Sequence, residues 1–202
     1  MNFSHKKQKK ELAAAIAKGR ELRKLGRDPD QASQFLEEAI QRFPEDPELR
    51  LLNASVLTAL RPDDVIAEAA KAVELAPNDL GTLVRAGHLL LSNGDREAAR
   101  SCAVRAEELA EPDFVLLGGL DNLRGLLAAF RGQDRLAEQL LGSAVDREPT
   151  NGPFAKNLAV FLAERGRLQE GVEVLDKALK HVKKKDELER MRSRMAAEAS
   201  DP

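Results

Sequence analysis

An all-α fold, a solenoid of about five helix pairs closed by a capping helix, is what this 202-residue sequence predicts. Three observations carry that expectation. Apolar residues recur at helical spacing along nearly the whole chain, with no convincing strand pattern. Turn positions return at an almost constant interval: Gly26, Leu60, Gly94, Gly132 and Gly166 lie 34, 34, 38 and 34 residues apart. The interior must be built from small and aliphatic side chains, because the chain has seven Phe and neither Trp nor Tyr.

Residues 1–10 are polar and basic and read as a flexible extension ahead of the repeat domain, residues 11–185. The first unit, 11–45, has one helix up to the break at Gly26. A second begins near Pro29, with Ala32, Phe35, Leu36, Ala39 and Ile40 on one face. The second unit, 46–79, places Leu49, Leu52 and Val56 on its first helix. After Pro62, Asp63 or Asp64 is suited to cap its second.

The third unit, 80–113, joins Leu83, Ala86, Gly87 and Leu90 through Ser92-Asn93-Gly94-Asp95 to Ala99, Ala103 and Ala106, and closes at Pro112. The fourth, 114–151, is stretched. Asp121 and Arg124 occupy places where large apolar residues are expected, and a one-residue shift turns Leu120, Leu123 and Leu127 inward instead. Gly118-Gly119 is read there as a bend within a long helix. The fifth unit, 152–185, carries Leu158, Ala159 and Leu162, then Gly171, Leu175 and Ala178. Residues 186–202 form a capping helix and tail, with Leu188, Met191 and Met195 covering the face that no sixth unit buries.

The third unit resembles the tetratricopeptide repeat, through Leu83, Ala86-Gly87, Leu90, Ala99, Ala103, Ala106 and Pro112. Gly87 and Ala99 are small where two helices must touch at backbone distance. The resemblance implies a right-handed superhelix whose first helices line a concave groove. It also implies a non-catalytic scaffold or adaptor that holds a partner segment in that groove.

Composition narrows the function further. The 32 basic and 34 acidic residues leave a net charge of −2, without the basic excess of a general nucleic-acid binder. A single cysteine, Cys102, allows no intrachain disulfide, and no His or second Cys is placed to activate it. His5, His88 and His181 lie in different units without metal-ligand spacing, and no Gly-rich phosphate loop follows a strand. The apolar run behind the basic start is too short for a signal peptide, and nothing approaches a membrane span. The expectation is a cytoplasmic protein that is not an enzyme and has no cofactor or metal.

Carried over from the repeat geometry, the exposed inner positions are Arg20, Arg23 and Lys24, then Arg50 and Ala54, then Arg85 and His88. Asn122 and Leu126 follow, then Lys156, Asn157, Val160 and Glu164, with Arg190 and Arg194 of the last helix continuing the row. Cations dominate this set although the chain is slightly acidic. The expected partner is therefore a protein or peptide, with an acidic or carboxylate-terminated segment favoured. The chaperone-tail clamp is not expected, because no three adjacent units reproduce its Lys, Asn and Arg set. A nucleic-acid-binding helical repeat and a regulatory subunit of an enzyme complex are the alternatives.

Overall fold

The computed structural model describes residues 3–26, 28–58, 60–111 and 117–200. Among them are eleven helices and no strand: α1 (Phe3–Leu25), α2 (Pro29–Arg42), α3 (Pro47–Leu57), α4 (Pro62–Leu75), α5 (Leu80–Ser92), α6 (Arg96–Leu109), α7 (Leu117–Phe130), α8 (Asp134–Arg147), α9 (Gly152–Ala163), α10 (Leu168–Ala178) and α11 (Asp186–Ser200). They form two compact units, Met1–Leu109 and Ala110–Pro202.

Local chemistry sets the helix ends. Asp28, Asp46 and Asp79 each accept a hydrogen bond from the backbone N–H three residues on, which satisfies an orphan donor of the first turn. Asp95 does the same for Ala98 at the start of α6. Proline opens α2, α3 and α4, where its missing N–H costs nothing. The turns inside four of the pairs need a left-handed residue, and Gly26, Gly94, Gly132 and Gly166 supply it with φ of 58°, 92°, 68° and 75°.

In the first unit, α1 crosses α2 at Gly19, where an added Cβ would lie 2.7 Å from Leu36 Cδ2. Ala32, Leu36, Ala39 and Ile40 of α2 pack with Leu49 and Leu52 of α3 and with Leu12, Ile16 and Leu22 of α1. Ala54, Leu57 and Val65 join α3 and α4 to Leu89 of α5. Ala99, Ala103 and Ala106 are buried along α6, as are Leu83, Gly87 and Leu90 along α5. Each fully buried Leu contributes about 1.5–3 kcal/mol, so this unit is held by a strip of aliphatic contacts.

The second unit repeats the plan. Gly125 of α7 lets Leu141 of α8 approach, and Ala128, Ala137 and Leu141 pack on Leu158, Phe161 and Leu162 of α9. Ala155, Ala159, Val172, Leu175 and Ala178 then meet Leu188 and Met195 of α11. Without that last helix, the apolar face of α9 and α10 would stand open to water.

α1 is helical from Phe3, so residues 3–10 lie on the first helix. One expectation is corrected. Asp63 and Asp64 lie in the first turn of α4 behind an N-cap, Arg61, that makes no side-chain cap bond; their charge there complements the helix dipole. Gly118 and Gly119 lie in the first turn of α7 as described from Leu117, and what immediately precedes Leu117 lies outside the described residues. The shifted register holds, with Leu120, Leu123 and Leu127 buried and Asp121 turned toward Ser143 and Arg147 of α8. The 38-residue interval is the third: α6 ends at Leu109 and α7 is described from Leu117, against Leu75 and Leu80 for α4 and α5. Pro112, which closes the third unit in the sequence, lies outside the described residues.

Candidate partner-binding surfaces

In the first unit, the first helices of three consecutive pairs meet at one carboxylate. Glu48 of α3 accepts from Arg20 of α1, at 3.1 Å, and is also paired with Arg85 of α5. Glu48 sits one residue behind Pro47 in the first turn of α3, which fixes it beside both neighbouring helices. Its side chain is 15% exposed, while those of Arg20 and Arg85 are 61% and 46% exposed. Burial pushes the Glu48 carboxyl up, but the Arg85 and Arg20 guanidiniums outweigh it and hold the group below the usual carboxylate range. Arg23 and Lys24 are exposed at the end of α1, and His88 is half-buried on α5.

Two other expected inner residues of this unit are placed differently. Arg50 is turned toward α4, where it pairs with Glu68 at 3.2 Å and donates to the Pro44 carbonyl, with only 16% of its side chain exposed. Its Nε is buried without a partner. Ala54 is fully buried under α5, because the first helices of successive pairs touch there.

In the second unit, Asn122 is also buried, at 2% exposure, and accepts from Asn157 of α9 at 3.1 Å. It follows the 38-residue interval from Val84, itself buried, so that stretch brings an interior position to Asn122. Lys156 pairs with Glu187 of α11 and holds that carboxyl below its ordinary range. Arg190 donates to the Asp186 carbonyl, and Arg194 is exposed one turn further on. The structure thus joins Arg20 to Arg85 and Asn122 to Asn157, and leaves Arg50 in a contact of its own.

Sequence reasoning missed Glu48, Glu68 and Glu187, the three carboxylates that engage these cations. Glu48 and Glu187 lie in first turns, where acidic residues serve the helix dipole as a matter of course. Their second role has no local signal. Cys102 is buried on α6, and that burial, reinforced by Asp95, pushes its thiol up to about 11. Among the described residues no group of three His, Cys, Asp or Glu side chains could hold a metal.

Helix pairs turned by left-handed glycines and crossed at Gly19, Gly125 and Gly171 make this a tetratricopeptide-like repeat protein, a class of protein-interaction scaffolds. Solved structures agree. The chain is similar to TTC0263, a thermophilic TPR protein of Thermus thermophilus, at 25% identity and a TM-score of 0.78, covering 92% of this chain and 99% of that one. Pseudomonas aeruginosa PilF matches at 16% identity and a TM-score of 0.68, over 96% of this chain and 86% of its own. A tetratricopeptide repeat protein from Parabacteroides merdae matches at 14% and 0.71, over 93% and 72%. No protein-family model matches the chain, and no curated protein does. No helix among the described residues is long and apolar enough to cross a membrane.

Proposed function

We propose that this chain is a non-catalytic adaptor that holds an acidic segment of a partner protein on the surface formed by α1, α3 and α5. The observation that supports this reading is the convergence of Arg20 and Arg85 on Glu48. Two guanidiniums share one carboxylate, so one positive charge is left uncompensated at an exposed position. Glu48 also holds both side chains by ion pairs, which lowers the ordering cost of receiving a second carboxylate. Arg23 and Lys24 add positive potential on the α1 side. A cytoplasmic location belongs to the same reading, supported by a lone cysteine that leaves no intrachain disulfide.

The test is selection of peptides from a random display library on the full chain, followed by charge reversal. Selected peptides should be enriched in Asp and Glu. Arg20→Glu with Arg85→Glu should weaken the best of them at least roughly tenfold, since hydrogen bonds to charged groups are worth about 1.5–3 kcal/mol each. Lys71→Glu with Arg105→Glu, on second helices α4 and α6, should change affinity far less. Peptides without acidic enrichment, or equal losses from the two double variants, would reject the reading.

A further inference from the structure

The cleft in the second unit between the first turn of α9 and the connection from α10 to α11 is a separate feature. It has a volume of about 800 Å³. Its floor is apolar, lined by Pro153 and by the buried Val182 and Leu188. Gly152 keeps that floor flush, because a Cβ there would lie 3.2 Å from Leu188 Cδ1. Lys183, Lys184 and Arg190 stand around the opening.

Lys183 and Lys184 make no ion pair among the described residues. Arg190 donates to the Asp186 carbonyl, and its charge also helps to hold the Glu187 carboxyl down. Two carboxylates line the same cleft, Asp186 and Glu187, of which Glu187 is already engaged by Lys156. The opening therefore carries three cations against two carboxylates, one of which Lys156 already engages, above an aliphatic floor.

We propose that this cleft binds an acidic segment of a protein partner that carries an aliphatic residue beside its carboxylates. The aliphatic side chain enters over Val182 and Leu188, and the carboxylates meet Lys183, Lys184 and Arg190. A nucleic acid fits less well. No aromatic side chain lines the cleft to stack on a base. The inference rests on the acidic-partner reading above but uses different residues, so the two fail separately.

The test is titration of the isotope-labelled full chain, followed by amide nuclear magnetic resonance. The probes are a dodecapeptide of repeated Glu-Leu-Asp, its Lys-Leu-Arg counterpart, and an oligothymidylate of equal charge. The acidic peptide should shift the amides of Gly152, Val182, Lys184 and Leu188, and the basic peptide should not. Lys183→Glu with Lys184→Glu should weaken that response at least roughly fivefold, whereas Arg20→Glu with Arg85→Glu should leave it unchanged. Because both lysines are exposed, the variant should retain the native amide pattern elsewhere. No shift at these four amides, or an equal shift with oligothymidylate, would overturn the proposal. Shifts at these amides with none around Glu48 would uphold the cleft and reject the α1–α3–α5 surface.

Discussion

Gly125 and Leu141 meet so closely that a Cβ on the glycine would lie 2.8 Å from Leu141 Cγ and 3.1 Å from its backbone nitrogen. Backbone cannot yield as a flexible side-chain tip can. Gly125→Ala should therefore destabilise the second unit by about 1–3 kcal/mol, the usual cost of overpacking a close helix contact. Gly142, in the interior of α8, has nothing within 4 Å of a would-be Cβ. Gly142→Ala should be neutral or stabilising by about 0.5–1 kcal/mol. Urea melts that placed the two in the opposite order would remove Gly125 as the crossing point of α7 and α8.

The Glu48 carboxyl gives a pH signature. Its folded-state pKa is depressed by Arg85 and Arg20, so its contribution to stability is fully present above the unfolded value and is lost as pH falls through the folded one. The stability difference between the native chain and Glu48→Gln should be largest near neutrality and shrink below about pH 4.3, the ordinary Glu value. Denaturation midpoints across that range measure it. A difference that grew on acidification would mean the pair is not formed in solution.

The last helix should be indispensable. Deleting residues 186–202 uncovers Val172, Leu175 and Ala178 and removes Leu188 and Met195 from the core. At about 1.5–3 kcal/mol for each large side chain, the loss amounts to several kcal/mol and leaves an adhesive end. Light scattering should find self-association, and thermal unfolding an earlier transition. A truncated chain that stayed monomeric with an unchanged midpoint would make α11 an appendage.

Cys102 should be chemically quiet. With its thiol pushed up to about 11, only about one molecule in a thousand carries thiolate at pH 8, against roughly a quarter for an ordinary cysteine of pKa about 8.5. Burial slows reagents further. Alkylation should be at least roughly a hundredfold slower in the folded chain than in urea, and comparable rates would show that α6 opens readily.

The helix pairs were legible because period and turn chemistry act locally. Gly94 and Gly132 mark turns in the sequence as plainly as their φ values do in the structure. Asn122 was not legible. Its exposure depended on how the extra length before α7 shifts the register, and a polar residue on a helix reads as surface until its neighbour is known. Arg50 failed for a related reason: helical phase fixes its direction within about one residue, and that margin separates solvent from Glu68. The Arg20–Glu48–Arg85 cluster joins residues 28 and 37 positions apart, and no local pattern links them.

Arg165 and Arg167, on either side of the turn glycine Gly166, reach back to the preceding pair. Arg165 lies 4.4 Å from the centroid of the Phe161 ring and donates to Asp134, and Arg167 holds both carboxylate oxygens of Glu138 at 2.7 and 2.8 Å. The apolar contact beneath, Ala128, Ala137 and Leu141 against Leu158, Phe161 and Leu162, is non-directional and tolerates small rotations of one pair on the next. Planar guanidiniums tolerate far less, because a two-point grip on a carboxylate fixes an angle as well as a distance. The oily seam supplies cohesion and the charged turn supplies pitch. Salt that screens the charges should therefore loosen the angular setting of these pairs before it loosens their hold on one another.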